Sequence, residues 1–273
     1  MAVLFISFTA MYVEIDPRKI ASGVYRSGLS TIESEAEVVL RRDGKTSTVT
    51  VVQADETKKI LATNGKPDAS IEFGPSKPFS VDETTQILAG VIPIVAKPDA
   101  KSAAIIGVGS GMTTHALLAS PNLTRVDTIE IEAAMVEGAR HFLPVVRRTF
   151  DDPRSELIIN DARTYFSTQQ TKYDLIISEP SNPWVSGVSG LFSSEFYQLV
   201  DQHLSGDGIL VQWVQLYEID LELVSSIFKA IDGVFDDFVV YEGDDSNILI
   251  VAGQGGVISE HAQQLFRMPE FLP

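Results

Sequence analysis

Cysteine is absent from this chain of 273 residues, which excludes disulfides, thiolate nucleophiles and sulfur-ligated metals. Histidine is scarce: His115, His141, His203 and His261 stand at no ligand spacing, so no metal site is expected. Positive charge is short as well, with 21 Lys and Arg against 37 Asp and Glu and a net charge of -16. A surface of that sign repels a phosphate backbone, so nucleic acid is excluded as the main ligand. It favours a cationic ligand only weakly, because many acidic proteins use charge for solubility. No apolar run reaches the roughly 20 residues that a membrane-spanning helix needs. The strongly apolar segment Met1 to Val13 lacks the basic start and small-residue cleavage site of a signal peptide. It reads as a strand or helix docked on the body, in preference to a disordered start or the stump of a membrane segment.

What is present is an apolar fraction of 44%, enough for a proper core in one large domain or two modest ones. From Ser22 to about Pro78 the chain is rich in β-branched residues and turn signals. Glu37 to Leu40, Thr46 to Val52 and Lys59 to Thr63 read as strands, with turns at Arg42 to Lys45 and at Asn64-Gly65, the latter a type I′ signal. This first third is expected to be a small antiparallel sheet. Val81 to Ile92 has a helical apolar spacing, Ser80 as N-cap, Asp82 and Glu83 in its first turn, and Pro93 as a stop or kink.

After Pro98 short apolar strands alternate with amphipathic helices. Strands are expected at Ala103 to Val108, Thr124 to Ile131, Ser155 to Ile159, Tyr173 to Ser178, Gly208 to Val214, Asp237 to Tyr241 and Ile248 to Ala252. Helices are expected near Met112 to Ala119, Ala133 to Phe142, Ala162 to Ser167, Ser193 to Leu204, Leu221 to Ile231 and Ser259 to Phe266. Such alternation implies crossover connections and a mainly parallel sheet covered on both faces, an α/β, Rossmann-like class. The expected division is an N-terminal β-domain over 1–80, with 1–13 as its apolar lead, and a larger α/β domain over 81–273.

The chemistry gathers at strand ends. Gly107-Val108-Gly109-Ser110-Gly111 sits at a strand-to-helix junction, and Glu130 ends the next strand. Glycines allow a tight turn and close backbone approach, and a carboxylate there can accept from both ribose hydroxyls. The spacing fits an S-adenosyl group better than a dinucleotide or a triphosphate. Asp161, after the third strand, reads either as a helix N-cap or as an acceptor for an adenine amino group. After the fourth strand, Glu179-Pro180-Ser181-Asn182-Pro183 fixes a carboxylate in a loop stiffened by two prolines. Trp184 reads as a partly buried loop anchor rather than a stacking platform.

Together these residues resemble the spermidine synthase family of aminopropyltransferases, over about Thr46 to Val251. The shared features are the glycine loop, Glu130 in Ile129-Glu130-Ile131-Glu132, Asp161-Ala162-Arg163, the Leu191-Phe192-Ser193-Ser194-Glu195-Phe196-Tyr197 run and the Asn64-Gly65 turn. The resemblance implies transfer of an aminopropyl group from decarboxylated S-adenosylmethionine, as co-substrate, to an amine or polyamine, and no metal. It implies that Gly107, Gly109, Gly111, Glu130, Asp161 and Ala162 bind the nucleoside and that Glu179 is the base for the attacking amine. The acceptor side departs from the family pattern. Asn182 stands where a second Asp would hold the cationic acceptor, a Tyr-His pair falls near Thr85-Gln86, and a Tyr-Gln pair falls near Thr46-Ser47.

Loss of that carboxylate weakens the hold on an ammonium by roughly 1.5 to 3 kcal/mol, which puts putrescine in doubt. The Ser178-to-Trp184 stretch is most similar to bacterial homologues fused to transporter-like membrane domains. That likeness implies a membrane domain in a longer parent protein, and a cytoplasmic chain or the soluble part of a tethered one. A homodimer is carried over on the same ground. Two other readings stand beside aminopropyl transfer: methyl transfer from intact S-adenosylmethionine, and a non-catalytic nucleoside-binding homologue.

Overall fold

The computed structural model describes residues 16–74, 78–185 and 187–254. The lead Met1 to Val13 and the helix expected at Ser259 to Phe266 lie outside the described residues. Two short helices, α1 (Pro17–Ala21) and α2 (Val24–Ser27), precede four strands, β1 (Glu37–Asp43), β2 (Thr48–Gln53), β3 (Lys58–Thr63) and β4 (Lys66–Glu72). These form an antiparallel sheet in the order β1-β2-β3-β4. At the turn between β3 and β4, Asn64 and Gly65 have φ of 51° and 78°, both positive as a type I′ turn requires. The backbone of Gly23, at the start of α2, packs directly on Gly65, and neither position has room for a side chain. The sequence pattern does not show β4 because Pro67 interrupts it; β4 is an edge strand, where a missing N–H is tolerated.

Helix α3 (Val81–Ala96) starts at a capping box in which Ser80 and Glu83 satisfy each other's backbone N–H. Pro93 does not end it at Ile92 as the sequence suggests. Proline withholds one N–H from the last turn, but Ile92 and Ala96 are buried against the large sheet, and the Lys97 N–H closes on the Pro93 carbonyl at 2.8 Å. Packing carries the helix one turn further.

The second sheet is built from β5 (Ser102–Ile106), α4 (Met112–Leu117), β6 (Arg125–Glu130), α5 (Ala133–Ala139), α6 (Arg147–Asp151), β7 (Ser155–Ile159), α7 (Ala162–Thr168), β8 (Tyr173–Ser178), α8 (Ser194–His203), β9 (Leu204–Gln215), α9 (Leu221–Asp232), β10 (Asp237–Asp244) and β11 (Asn247–Gly253). Its order is β10-β11-β9-β8-β5-β6-β7. Strands β5 to β9 run parallel, as expected of a mainly parallel sheet, and β11 is antiparallel to both of its neighbours, which makes one edge mixed. The expected helix over Ala133 to Phe142 is α5 followed by a 3-10 turn at Arg140–Phe142. Apolar runs in the central strands bury both faces. Ala104, Ile106, Ile176 and Leu210 pack on the side of α7, α8 and α9, while Ala103, Ile105, Ile177 and Val211 pack on the side of α3 and α4.

The two sheets are joined through α5. Val49, Val51 and Leu61 pack on Ala134, Met135 and Ala139. A Cβ on Gly138 would lie 2.6 Å from Leu61 Cδ1, so glycine there lets the helix sit on the antiparallel sheet. A polar clasp reinforces the contact. Glu132 is buried and accepts from the Thr46 N–H at 2.8 Å, the Thr46 hydroxyl at 3.1 Å and the Ala134 N–H at 3.3 Å. Burial pushes its carboxyl up, yet these donors outweigh burial and hold it below the usual range. Glu132→Ala leaves the Thr46 and Ala134 donors unpaired, and the expected loss of about 1 to 3 kcal/mol is read as a lower midpoint in urea unfolding.

Candidate functional site

Strand β5 lies between β6 and β8, so the chain winds out to β7 on one side and returns to β9 on the other. At such a switch point the loops beyond the carboxyl ends diverge and leave a crevice. A cavity of about 510 Å³ occupies it, walled by the ends of β5 to β9 and roofed by the β1–β2 and β3–β4 hairpins through Thr46, Ser47 and Asn64. The site thus belongs to both sheets.

Its floor is the glycine loop. Gly107 has φ of +95°, and a Cβ on it would lie 2.7 Å from the Glu179 carbonyl oxygen. No other residue combines that backbone with that contact without strain. The Glu179 N–H in turn bonds the Ile106 carbonyl at 2.9 Å, so the glycine loop and the proline loop are set against each other. Gly109 lines the cavity, but Gly111 does not: it caps α4, and its carbonyl accepts the Thr149 hydroxyl at 2.6 Å. Gly111 is a packing turn behind the wall.

Glu130 is buried at the end of β6. One carboxylate oxygen accepts from the Val108 N–H at 3.0 Å and the other from the Glu132 N–H at 2.8 Å. Burial pushes its carboxyl up to about 6 against the pull of those two donors. Each oxygen keeps a second lone pair for a ligand. Asp161 caps α7 by accepting from the Thr164 N–H at 2.8 Å, and it also lines the cavity beside Ala162. Its two sequence readings are compatible, since capping engages one oxygen.

Glu179 faces the cavity from the end of β8. Its Oε1 is shut from water and has no hydrogen-bond partner among the described residues. Burial pushes its carboxyl up to about 8, opposed only by the Thr113 side chain. A carboxyl group is therefore held mostly neutral at pH 7, next to an open volume.

The acceptor residues expected from the sequence are divided by the fold. Gln86 lines the cavity, with Oε1 taking the Ser110 hydroxyl and Nε2 buried without a partner among the described residues. Thr85 does not reach it: its hydroxyl bonds the Val81 carbonyl and Asp244, each at 3.2 Å, because successive helix residues point about 100° apart. Asn182 is also off the cavity wall, buried in its loop with Oδ1 3.4 Å from the Tyr217 hydroxyl. Trp184 is exposed at 39%, more than the partly buried anchor expected, and stands edge-on to Tyr217 at 6.1 Å.

Sequence reasoning missed Asp68, Ser181, Trp213 and Gln215, which also line the cavity. Asp68 accepts from Lys66 Nζ at 2.6 Å, and the Ser181 hydroxyl bridges the pair at 3.2 Å from each. The polar Gln212 and Gln215 in an otherwise apolar strand were the available signal for the β9 end. Nothing local marks Asp68, since β4 itself is hidden by Pro67. Among the described residues no group of three or more His, Asp or Glu is placed to hold a metal ion, and no helix is long and apolar enough to cross a membrane.

This is a Rossmann-like α/β protein whose cavity, at the carboxyl ends of a central parallel sheet, is roofed by an N-terminal antiparallel sheet. The chain belongs to the spermine/spermidine synthase family: the family model described as Spermine/spermidine synthase domain matches residues 84–242, more than half of the chain. It is 31% identical over 152 residues to the polyamine aminopropyltransferase of Caldicellulosiruptor saccharolyticus, 56% of this chain and 54% of that protein. It is 35% identical over 120 residues to that of Clostridium perfringens, 44% of this chain and 42% of that protein. The matched region thus spans about half the length of these curated relatives. A crystal structure of a spermidine synthase with the transition-state analogue AdoDATO shares the fold at a TM-score of 0.71 and 22% identity, covering 84% of this chain and 78% of the other. The Thermotoga maritima spermidine synthase shares it at 0.69 and 22%, covering 84% and 77%.

The raised Glu179 carboxyl has a consequence for stability. Its ordinary value is 4.5, and in the folded chain it is about 8. Between these values the folded state keeps a proton that the unfolded state releases, so stability falls as pH rises through that window. Glu179→Gln removes the titration. The melting temperatures of the two proteins are expected to lie close together near pH 4.5 and to separate toward pH 8, the variant melting higher.

Proposed function

We propose that the protein transfers an aminopropyl group from decarboxylated S-adenosylmethionine to an amine, releasing methylthioadenosine. The observation that supports this reading is that Glu179, whose solvent-shielded Oε1 has no partner among the described residues, lines one cavity with Glu130 and the glycine loop. Gly107 and Gly109 give the nucleoside a close backbone approach, Glu130 accepts from its ribose hydroxyls, and Asp161 and Ala162 receive its base. Gly111 supports them from behind. Gln86 faces the acceptor; Thr85 and Asn182, off the cavity wall, act on it only through their neighbours.

In the transfer step the acceptor nitrogen attacks the methylene next to the sulfonium. A C–N bond forms, the C–S bond breaks, and its electron pair returns to sulfur as a neutral thioether. The proton lost by the nitrogen goes to Glu179. Alignment of the two substrates across the glycine loop supplies the larger part of the rate and the base roughly 10² to 10⁴-fold. An acid poised near neutrality suits that exchange. Methyl transfer from intact S-adenosylmethionine would bring the donor's amino-acid carboxylate into a cavity lined by five carboxyl side chains and, among the described residues, one cation, Arg163, a balance that favours the decarboxylated donor. A division of the chain near residue 80, a homodimer and a cytoplasmic setting, free or tethered, go with the family reading.

Calorimetry with the decarboxylated donor, methylthioadenosine and intact S-adenosylmethionine tests the reading. The first two are expected to bind and the third to bind at least about tenfold more weakly. Glu179→Gln is expected to keep nucleoside binding and to lose transfer by about 10² or more. For the unmodified chain, kcat/KM is expected to rise with pH through about 8, because the free protein must first ionise Glu179. Full activity of the Gln variant would remove Glu179 from the role of base.

A further inference from the structure

Of the five carboxyl side chains that line the cavity, four have a task under the aminopropyltransferase reading. Glu130 holds two backbone N–H groups and is given the ribose, Glu132 clasps Thr46, Asp161 caps α7 at the base, and Glu179 takes the proton of the attacking amine. Asp68 is the fifth, and no step uses it. The decarboxylated donor brings a cation besides its sulfonium, because its aminopropyl arm ends in a primary ammonium. Stripping water from that ammonium is costly unless a carboxylate meets it.

The surroundings of Asp68 fix which of its oxygens is available. Lys66 Nζ lies 2.6 Å from Oδ1, and the Ser181 hydroxyl donates to the same oxygen at 3.2 Å. The other protons of Lys66 go to the Ser181 oxygen at 3.2 Å and the Pro67 carbonyl at 3.4 Å. Oδ1 thus has a donor for each lone pair, while Oδ2 accepts from no donor among the described residues. Both side chains are largely shielded from water, 16% exposed for Lys66 and 13% for Asp68, so the pair is a fixed part of the wall. Asp68 lines the cavity and Lys66 does not. The lysine therefore grips the carboxylate from behind, and Oδ2 is left for the open side.

Its place along the cavity follows from its neighbours. Ser181 follows Glu179 and Pro180 in the stiffened loop, which puts Asp68 on the side of the base. Burial is the main force that pushes the Glu130 carboxyl up, and the nearby charge of Asp68 adds to it, so Asp68 is also close to Glu130. It stands between the residue given to the ribose and the residue given to the attacking amine. An aminopropyl arm crosses that stretch. Arg163, the one cation on the wall among the described residues, follows Asp161 and Ala162 on α7, at the base end.

We infer that Asp68 Oδ2 receives the terminal ammonium of the decarboxylated donor, and that Lys66 and Ser181 orient it for that contact. This rests on the aminopropyltransferase reading of the same cavity. It also gives that reading a means of choosing its donor. Intact S-adenosylmethionine carries a carboxylate on the carbon that bears its amino group, and would set that negative charge against Oδ2.

The test is calorimetry with the decarboxylated donor, intact S-adenosylmethionine and methylthioadenosine, which has the nucleoside but no aminopropyl arm. Asp68→Asn is expected to weaken the decarboxylated donor at least about tenfold and to leave methylthioadenosine within about twofold. The gap between the decarboxylated and the intact donor narrows in the same variant. Lys66→Gln keeps a donor for Oδ1 and removes the competing charge, so it is expected to tighten the decarboxylated donor at least about threefold with methylthioadenosine unchanged. Unchanged affinity for the decarboxylated donor in Asp68→Asn would overturn the inference, as would an equal loss for methylthioadenosine, which marks a structural role. If Asp68→Asn does not fold, Lys66→Gln decides: tightening of the decarboxylated donor alone supports the contact, and no change defeats it. Failure of the unmodified protein to bind the decarboxylated donor would defeat the aminopropyltransferase reading and this inference with it. Binding that ignores both substitutions defeats the inference alone.

Discussion

A buried carboxylate that accepts from two backbone N–H groups sets the geometry around it. Glu130 holds Val108 of the glycine loop with one oxygen and Glu132 with the other. Through Val108 it fixes the loop on which Gly107 meets the Glu179 carbonyl. Through Glu132 it fixes the residue that clasps the β1–β2 hairpin by Thr46. Floor, roof and far wall of the cavity are all connected to this one side chain. Its burial would push the carboxyl far up, and the two N–H donors limit the rise to about 6. The same oxygens keep their second lone pairs, so a group that organises the site also lines the cavity.

The two ends of the cavity differ in electrostatics for a structural reason. At the glycine-loop end the carboxylates have backbone partners, because strand ends and helix starts expose N–H groups there. At the other end Glu179 leaves its strand into a loop stiffened by Pro180 and Pro183, and Oε1 meets no donor among the described residues. The large negative charge of the chain does not describe this pocket. Lys66 pairs with Asp68, Glu179 is mostly protonated at neutrality, Glu130, Glu132 and Asp161 accept from backbone N–H groups, and Arg163 lines the same wall. Net charge acts at long range on encounter, while the occupant of a closed pocket is chosen by the few groups it touches.

Much of the fold could be read from the chain. The central strands are continuous apolar runs because both faces are covered, and that pattern is hard to mistake. The Asn64-Gly65 turn was legible because only residues that tolerate positive φ suit it. Other elements were hidden for identifiable reasons. Pro67 disguised β4, an edge strand that does not need the missing donor. Pro93 suggested an early stop to α3, which burial of Ala96 overrode. In the site, the strand-end residues Gly107, Glu130, Asp161 and Glu179 were legible because chain position and strand alternation together place them on one rim. Gly111 was assigned to the same rim and in fact stands behind it, holding Thr149.

The sequence alone determined the α/β class, the rim and the presence of a proline-stiffened acid at its fourth strand end, since each depends on local patterns of burial, turn preference and spacing. Only the tertiary structure decided which of Thr85 and Gln86 faces the cavity, that Asn182 lies behind it, and that Lys66 pairs with Asp68. Those are questions of side-chain direction and of contact between residues distant in the chain, such as the 113 positions that separate Ser181 from Asp68. Local pattern carries no signal for them. It was likewise the enclosure formed by two packed sheets, not the residue itself, that raised the Glu179 carboxyl to about 8.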